Sequence, residues 1–362
     1  MTAPIPRATA FTACAGARRH RGVLRLALST GLAAGILLLA GAVPATAAEP
    51  CTAADDTCLE WVVLGSGPVR TPVYRTHPLD VPDPAITTAL LLVHGGGRNA
   101  APEFRLVAEA ARARRGERTL VLAPRFGSND GFLCDDTFAQ DEANWGCQGA
   151  SAWTSGGPAM NAPEVTTYDV VDRLLRRLAD RATFPALTRI VIAGHSAGGQ
   201  FVTRYSLSNQ VHDTLGVPVS YVVSNPASYA YPDPDRLALV DGRLQPSDRV
   251  GFCSFYDDWP YGLRDRRGYS TRMSDEQLRQ QLRARPVTYL LGELDNVANR
   301  GFDASCAAMA QGASRLERGQ RFAAWVNGRG ARHTVVVVPG CGHSSRCMFT
   351  AERAQPVLFP EP

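Results

Sequence analysis

Three features of this 362-residue chain are placed to do chemistry: a serine between glycines, a glycine run, and a glycine-flanked histidine near the C-terminus. Gly194-His195-Ser196-Ala197-Gly198-Gly199 follows an apolar run at 189–193 and opens a helical pattern. A serine hydroxyl is a weak nucleophile unless a neighbouring base takes its proton. The G-x-S-x-G turn presents it on a sharp strand-to-helix bend, where small residues such as Gly194 and Gly198 let backbones approach closely. The N-terminus of the helix that follows favours developing negative charge. Upstream, His94-Gly95-Gly96-Gly97 closes another apolar run. Acyl transfer passes through a tetrahedral oxyanion, which needs backbone N–H donors unobstructed by side chains. A glycine run at a strand end supplies them.

With both motifs at strand ends, the chain resembles the α/β-hydrolase superfamily over most of residues 60–350. The resemblance implies a triad in the chain order serine, acid, histidine. The acid is then expected just past a strand. Gly292-Glu293-Leu294-Asp295 follows the run at 287–291, which makes Asp295 the choice and Glu293 its close rival, with Asp257 and Asp258 more distant. The base is expected after the last strand. His343 stands in Pro339-Gly340-Cys341-Gly342-His343, beyond the run at 334–338. An imidazole both accepts and returns a proton near neutral pH. Other histidines fit worse: His333 enters that strand from the wrong end, His77 and His212 lie outside the pattern, and His94 and His195 belong to the glycine motifs.

The implied roles are Ser196 as nucleophile, His343 as base and then acid, and Asp295 as the group orienting the imidazole. The N–H groups of Ala197 and Gly96, with Gly97 as second candidate, are expected to hold the oxyanion. The expected reaction is hydrolysis of a carboxylic ester through an acyl-enzyme, with no cofactor and no metal. An exopeptidase and a polyester depolymerase share these residues. A hydrolase-like domain that binds without catalysing is the reading from another class.

These residues need a scaffold. Continuous apolar runs at 89–93, 119–123, 189–193, 219–223, 287–291 and 334–338 read as parallel strands covered on both faces. Helical patterns at 104–115, 165–179, 200–208 and 306–325 alternate with them. The expected fold is therefore α/β, with a mostly parallel central sheet flanked by helices. Residues 126–163 and 228–285 break the alternation and read as rim or cap insertions. Phe252, Phe255, Tyr256, Trp259 and Tyr261 in the second, and Trp145 and Trp153 in the first, fit either a pocket wall or packing beneath a loop. Residues 225–229 reach the same rim without an assignable role.

Composition sets the outer bounds. With 45% hydrophobic and 20% charged residues the chain is globular, which excludes collagen, coiled coil and wholesale disorder. All 38 basic residues are arginine. Arg7, Arg18, Arg19, Arg21 and Arg25 precede residue 48 with no acid among them, so the remaining chain is close to electroneutral. No broad footprint for nucleic acid remains. The arginine-rich start, the uncharged stretch at 26–43 and the small residues after it read as a secretory signal cut after Ala47. Residues 48–362 are then expected to form one secreted catalytic domain, meeting a membrane only during export. Its partner would be a small-molecule or polymeric ester. Besides Cys14 there are eight cysteines, an even number that reads as disulfides in an exported chain. Proximity suggests Cys51–Cys58, Cys134–Cys147 and Cys341–Cys347, leaving Cys253 with Cys306. No pair has the C-x-x-C spacing of a zinc site.

Overall fold

The computed structural model describes residues 50–247, 253–299 and 301–361. The expected signal segment with its cut after Ala47, Cys14 and Phe252 lie outside the described residues. The first described strands form a hairpin, Leu59–Val63 (β1) and Arg70–Arg75 (β2), that was not among the expected strands. Alternation then begins with Thr88–Val93 (β3), Ala100–Arg115 (α1) and Thr119–Pro124 (β4). Pro158–Ala159 (β5) and Ala162–Thr166 (β6) close the first insertion, followed by Thr167–Leu178 (α2), Arg189–His195 (β7), Ala197–Ser208 (α3) and Val219–Ser224 (β8). A small ribbon, Arg236–Val240 (β9) with Arg243–Ser247 (β10), precedes Asp275–Ala284 (α4) and Val287–Gly292 (β11). Cys306–Met309 (α5), Arg315–Asn327 (α6), Thr334–Val338 (β12), Ser345–Thr350 (α7) and Gln355–Leu358 (α8) complete the order.

The eight-stranded sheet runs β1-β2-β4-β3-β7-β8-β11-β12. It is antiparallel from β1 through β4 and parallel from β4 to β12. Both β3 and β4 are buried at all six positions, which accounts for their continuous apolar character. Successive side chains point to opposite faces. Leu91, Val93, Ile190 and Ile192 join one core, while Leu90, Leu92, Val191 and Ala193 join the other. Parallel register sets Val93 beside Gly194, His195 beside Ser224, and Gly292 beside Val338. The loops after β3, β7, β11 and β12 therefore open on one edge of the sheet.

Two expected boundaries are corrected. The stretch expected to be insertion through residue 285 ends earlier, because α4 is the crossover helix into β11, burying Leu278 and Leu282. The single helix expected at 306–325 is two helices: Gly312 has a φ of 145°, and the Ser314 side chain caps α6 by accepting from Glu317 N–H. The first insertion is an ordered rim, with Trp145 in the core and Ser128 Oγ donating to its carbonyl at 2.7 Å. Four disulfides link Cys51–Cys58, Cys134–Cys147, Cys253–Cys306 and Cys341–Cys347, the pairing that proximity suggested. Among the described residues no helix is long and apolar enough to cross a membrane.

Candidate active site

Ser196 stands between β7 and α3 with φ 58° and ψ −118°. A non-glycine residue there is strained, and it persists only where surrounding packing holds it. That packing is backbone on backbone. A Cβ on Gly194 would lie 2.4 Å from Gly198 C, and one on Gly198 would lie 2.2 Å from Val93 O. The glycines are small because β3, β7 and α3 meet at this corner.

The Ser196 hydroxyl lies 2.9 Å from His343 Nε2 and donates to it. His343 Nδ1–H donates in turn to Asp295 Oδ2 at 2.7 Å. Asp295 is fully buried, and its other oxygen accepts from Asn299 Nδ2 at 3.3 Å and Arg315 Nη1 at 3.4 Å. Burial alone would raise its pKa. The bond from His343, the charges of His343 and Arg315 and the Asn299 bond outweigh it, so the carboxyl stays below its ordinary value and ionised. Glu293, the rival, is exposed and accepts from Gly340 N–H at 2.9 Å, bracing the turn that leads to His343. Asp257 and Asp258 pair with Arg236 and Arg264 and do not join the imidazole.

Asn225, in the rim stretch 225–229 that the sequence left without a role, is a further organiser. Its Oδ1 accepts from Gly292 N–H at 2.8 Å and its Nδ2 donates to Gly342 O at 3.3 Å. It thereby ties the end of the acid strand to the histidine loop. The Cys341–Cys347 disulfide closes the same loop around His343.

The glycine turn is held by three side chains. Gly95 N–H donates to Glu103 Oε1 at 3.1 Å. Gly95 O accepts from Arg98 N–H at 3.1 Å and from His94 Nδ1–H at 2.9 Å, while Gly96 O accepts from Arg98 Nη1 at 2.9 Å. Each carbonyl shares a rigid peptide plane with the next N–H. These bonds therefore aim the N–H groups of Gly96 and Gly97, which make no hydrogen bond of their own among the described residues. Ala197, first in α3, has an N–H without an intrahelical acceptor. A Cβ on Gly96 would lie 3.8 Å from Ala197 Cβ, and one on Gly97 would meet nothing within 4 Å. The positive φ of the turn falls on Arg98, at 53°.

Arg98 also forms a two-pronged pair with Asp136, at 2.6 and 3.2 Å, two residues beyond Cys134. Burial pushes His94 down to about 4, so it is neutral, and its Nε2 accepts from Phe126 N–H at 2.9 Å. His195 is pushed down to about 3 by burial and packs its ring 4.7 Å from that of His343. Burial raises Glu103 to about 7 against the opposing bond from Gly95.

A cavity of about 530 Å³ opens beside Gly96 and Ala197, walled by both insertions. Trp153 and Tyr261 line it, Trp153 joining Trp145 and Trp259 in the core as well, while Phe255 is exposed. Tyr256 stacks over the Arg236 guanidinium, 5.1 Å from its ring centre. Among the described residues no three His, Cys, Asp or Glu side chains converge as metal ligands. A nucleophile bonded to a base, a base bonded to a buried anion, and free N–H groups beside the nucleophile are the parts acyl transfer requires.

No curated protein matches the chain. Among solved structures, a poly(3-hydroxybutyrate) depolymerase from Bordetella parapertussis is similar with a TM-score of 0.55 and 23% identity, over 80% of this chain and 84% of that one. Poly(aspartic acid) hydrolase-1 from Sphingomonas sp. KT-1 is similar with a TM-score of 0.55 and 21% identity, over 80% of this chain and 94% of that one. At these identities the likeness speaks to the fold alone. A sequence model of the alpha/beta hydrolase family matches residues 90–358, from inside β3 to the end of α8, and so spans the glycine turn, the serine bend and the histidine loop. By sheet order and sequence match together, the chain belongs to the alpha/beta hydrolase family.

Proposed function

We propose that the chain is a secreted serine hydrolase that cleaves carboxylic esters through an acyl-enzyme intermediate. The supporting observation is the continuous relay from Ser196 Oγ through His343 to buried Asp295, at 2.9 and 2.7 Å. Ser196 Oγ attacks the ester carbonyl carbon while His343 Nε2 takes the hydroxyl proton. The oxyanion sits on the N–H groups of Ala197 and Gly96, with Gly97 in reserve. Each such donor is worth roughly a hundredfold to a thousandfold in rate. Collapse expels the alcohol, which receives the proton from Nε2. Water then attacks the acyl-enzyme by the same route, releasing the acid and restoring the serine hydroxyl. Asp295 remains ionised throughout and stabilises the imidazolium. Secretion is supported by the four disulfides and by the composition before residue 48.

The test is a panel of p-nitrophenyl acyl esters of graded length, an insoluble polyester and aminoacyl amides. Turnover of esters is expected, with Ser196→Ala slower by about a thousandfold or more. Amide turnover without ester turnover would favour an exopeptidase, polymer turnover alone a depolymerase. A folded chain inert towards all of them would favour a binding role.

A further inference from the structure

Among the described residues, the cavity beside Gly96 and Ala197 holds a buried guanidinium that no lining carboxylate pairs. Arg204 is 1% exposed and lines that cavity from the α3 face that also presents Ala197 and Gln200. Those positions fall on one side of the helix, and a helical side chain leans toward the N-terminus of its helix, here toward Ser196. Arg204 Nη2 donates to Ser228 Oγ at 2.9 Å, the hydroxyl that Gln200 Nε2 also reaches at 2.7 Å. Arg204 and Gln200, on the cavity wall that Ala197 also lines, thus share one hydroxyl partner. The remaining bonds of the Arg204 guanidinium go to neutral carbonyl oxygens, of Pro260 at 3.2 Å and Thr154 at 3.4 Å. Among the described residues no carboxylate lies within 4.0 Å of it.

Among the described residues that line the cavity, Asp303 is the one carboxylate. Its oxygens are engaged by Tyr261 O–H at 2.9 Å and Ser305 N–H at 3.0 Å. A second buried cation, Arg318, faces the same loop and donates to the carbonyl oxygens of Ala227, Gly312 and Asp303. Arg98, another cation on the wall, is already matched by Asp136. Among the described residues, Arg204 therefore lines the cavity with no carboxylate at ion-pair distance, and Arg318 behind it is likewise held by carbonyl oxygens rather than carboxylates. A buried cation without a counter-charge is costly, and a ligand that brings an anion recovers that cost.

Building on the esterase reading above, we infer that the substrates are esters carrying a second, free carboxylate a few carbons from the scissile carbonyl, and that Arg204 is the group that selects them. The planar fork of an arginine suits a carboxylate in two-pronged fashion. The carboxylate can belong to the acyl part, as in a dicarboxylic half-ester, or to the alcohol part, as in an O-acyl hydroxy acid.

Two matched pairs separate those sources: monoethyl glutarate against ethyl pentanoate, and O-acetyl 3-hydroxybutyrate against its methyl ester. Wild-type kcat/KM is expected to favour the charged member of at least one pair by about tenfold or more. Arg204→Gln is expected to erase that preference chiefly through KM for the charged ester, and Arg204→Lys to keep part of it. A wild type that cleaves charged and neutral members equally well overturns the inference without any variant. An Arg204→Gln protein slowed by one common factor on both members also overturns it, since that is what a purely structural clamp on residues 154, 228 and 260 would do. A folded wild type that cleaves neither member overturns the esterase reading itself.

Discussion

His94 and Arg98 orient the peptide planes on either side of Gly96 before any substrate arrives, and such preorganisation is where an oxyanion site gains its strength. Arg98 in turn is held by Asp136, so the disulfide-closed rim bears on the turn through one ion pair. Loosening it is expected to act on the transition state rather than on substrate binding. Arg98→Gln and Asp136→Asn should each lower kcat about tenfold while KM moves less than threefold. Affinity for a trifluoromethyl ketone should fall in parallel. An unchanged kcat with a raised KM would contradict this. Ser196 and His343 were legible in the sequence because glycines and strand patterns flank them. Asp295 was preferred with Glu293 a close rival, since both follow the same strand; in the structure Asp295 is buried against His343 and Glu293 is exposed. Asn225 and Arg315 acquire their roles through contacts between segments distant in sequence, which local spacing does not encode.

At the scale of elements, the serine bend depends on how closely α3 approaches β3. A methyl on Gly198 would lie 2.2 Å from Val93 O and 2.7 Å from His94 O, both backbone atoms that cannot step aside cheaply. Gly198→Ala should therefore destabilise the chain by about 3 kcal/mol or more and abolish turnover. Gly97→Ala meets open space and should change stability by less than about 1 kcal/mol. Thermal melts of both variants check the contrast, and equal losses would contradict it. The inner parallel strands were readable because burial on both faces leaves continuous apolar runs, whereas edge strand β12 is exposed at Thr334 and Val335 and departs from the expected double cover. The β1–β2 hairpin was not readable, for it lies at a half-exposed edge and carries Glu60, Arg70 and Arg75. Helix α4 hid behind a polar surface with only Leu278 and Leu282 inward. Its capping box, Ser274 with Gln277, was the signal that could have found it.

For the whole molecule, acid stability is governed by buried histidines. Burial holds His94, His212 and His333 at about 4 and His195 at about 3. Between pH 6.5 and 4 the unfolded chain binds protons on these groups that the folded chain refuses, so stability falls as pH falls. Glu103 at about 7 and Asp172 at about 6, both raised by burial, act in the opposite sense over the same range. Four groups outweigh two. The melting temperature should drop by roughly 5 °C from pH 7 to pH 5. A flat or rising profile would contradict the burial pattern.

Covalent capture tests the central claim most directly. A fluorophosphonate requires an activated serine, so intact-protein mass spectrometry near pH 7 should show one adduct per chain, mapped by peptide digestion to Ser196. The adduct should vanish in Ser196→Ala and form far more slowly in His343→Ala, because the base that activates the hydroxyl is gone. A folded wild type that never takes the label, or a label that persists in Ser196→Ala, would contradict the assignment of this relay as the catalytic centre.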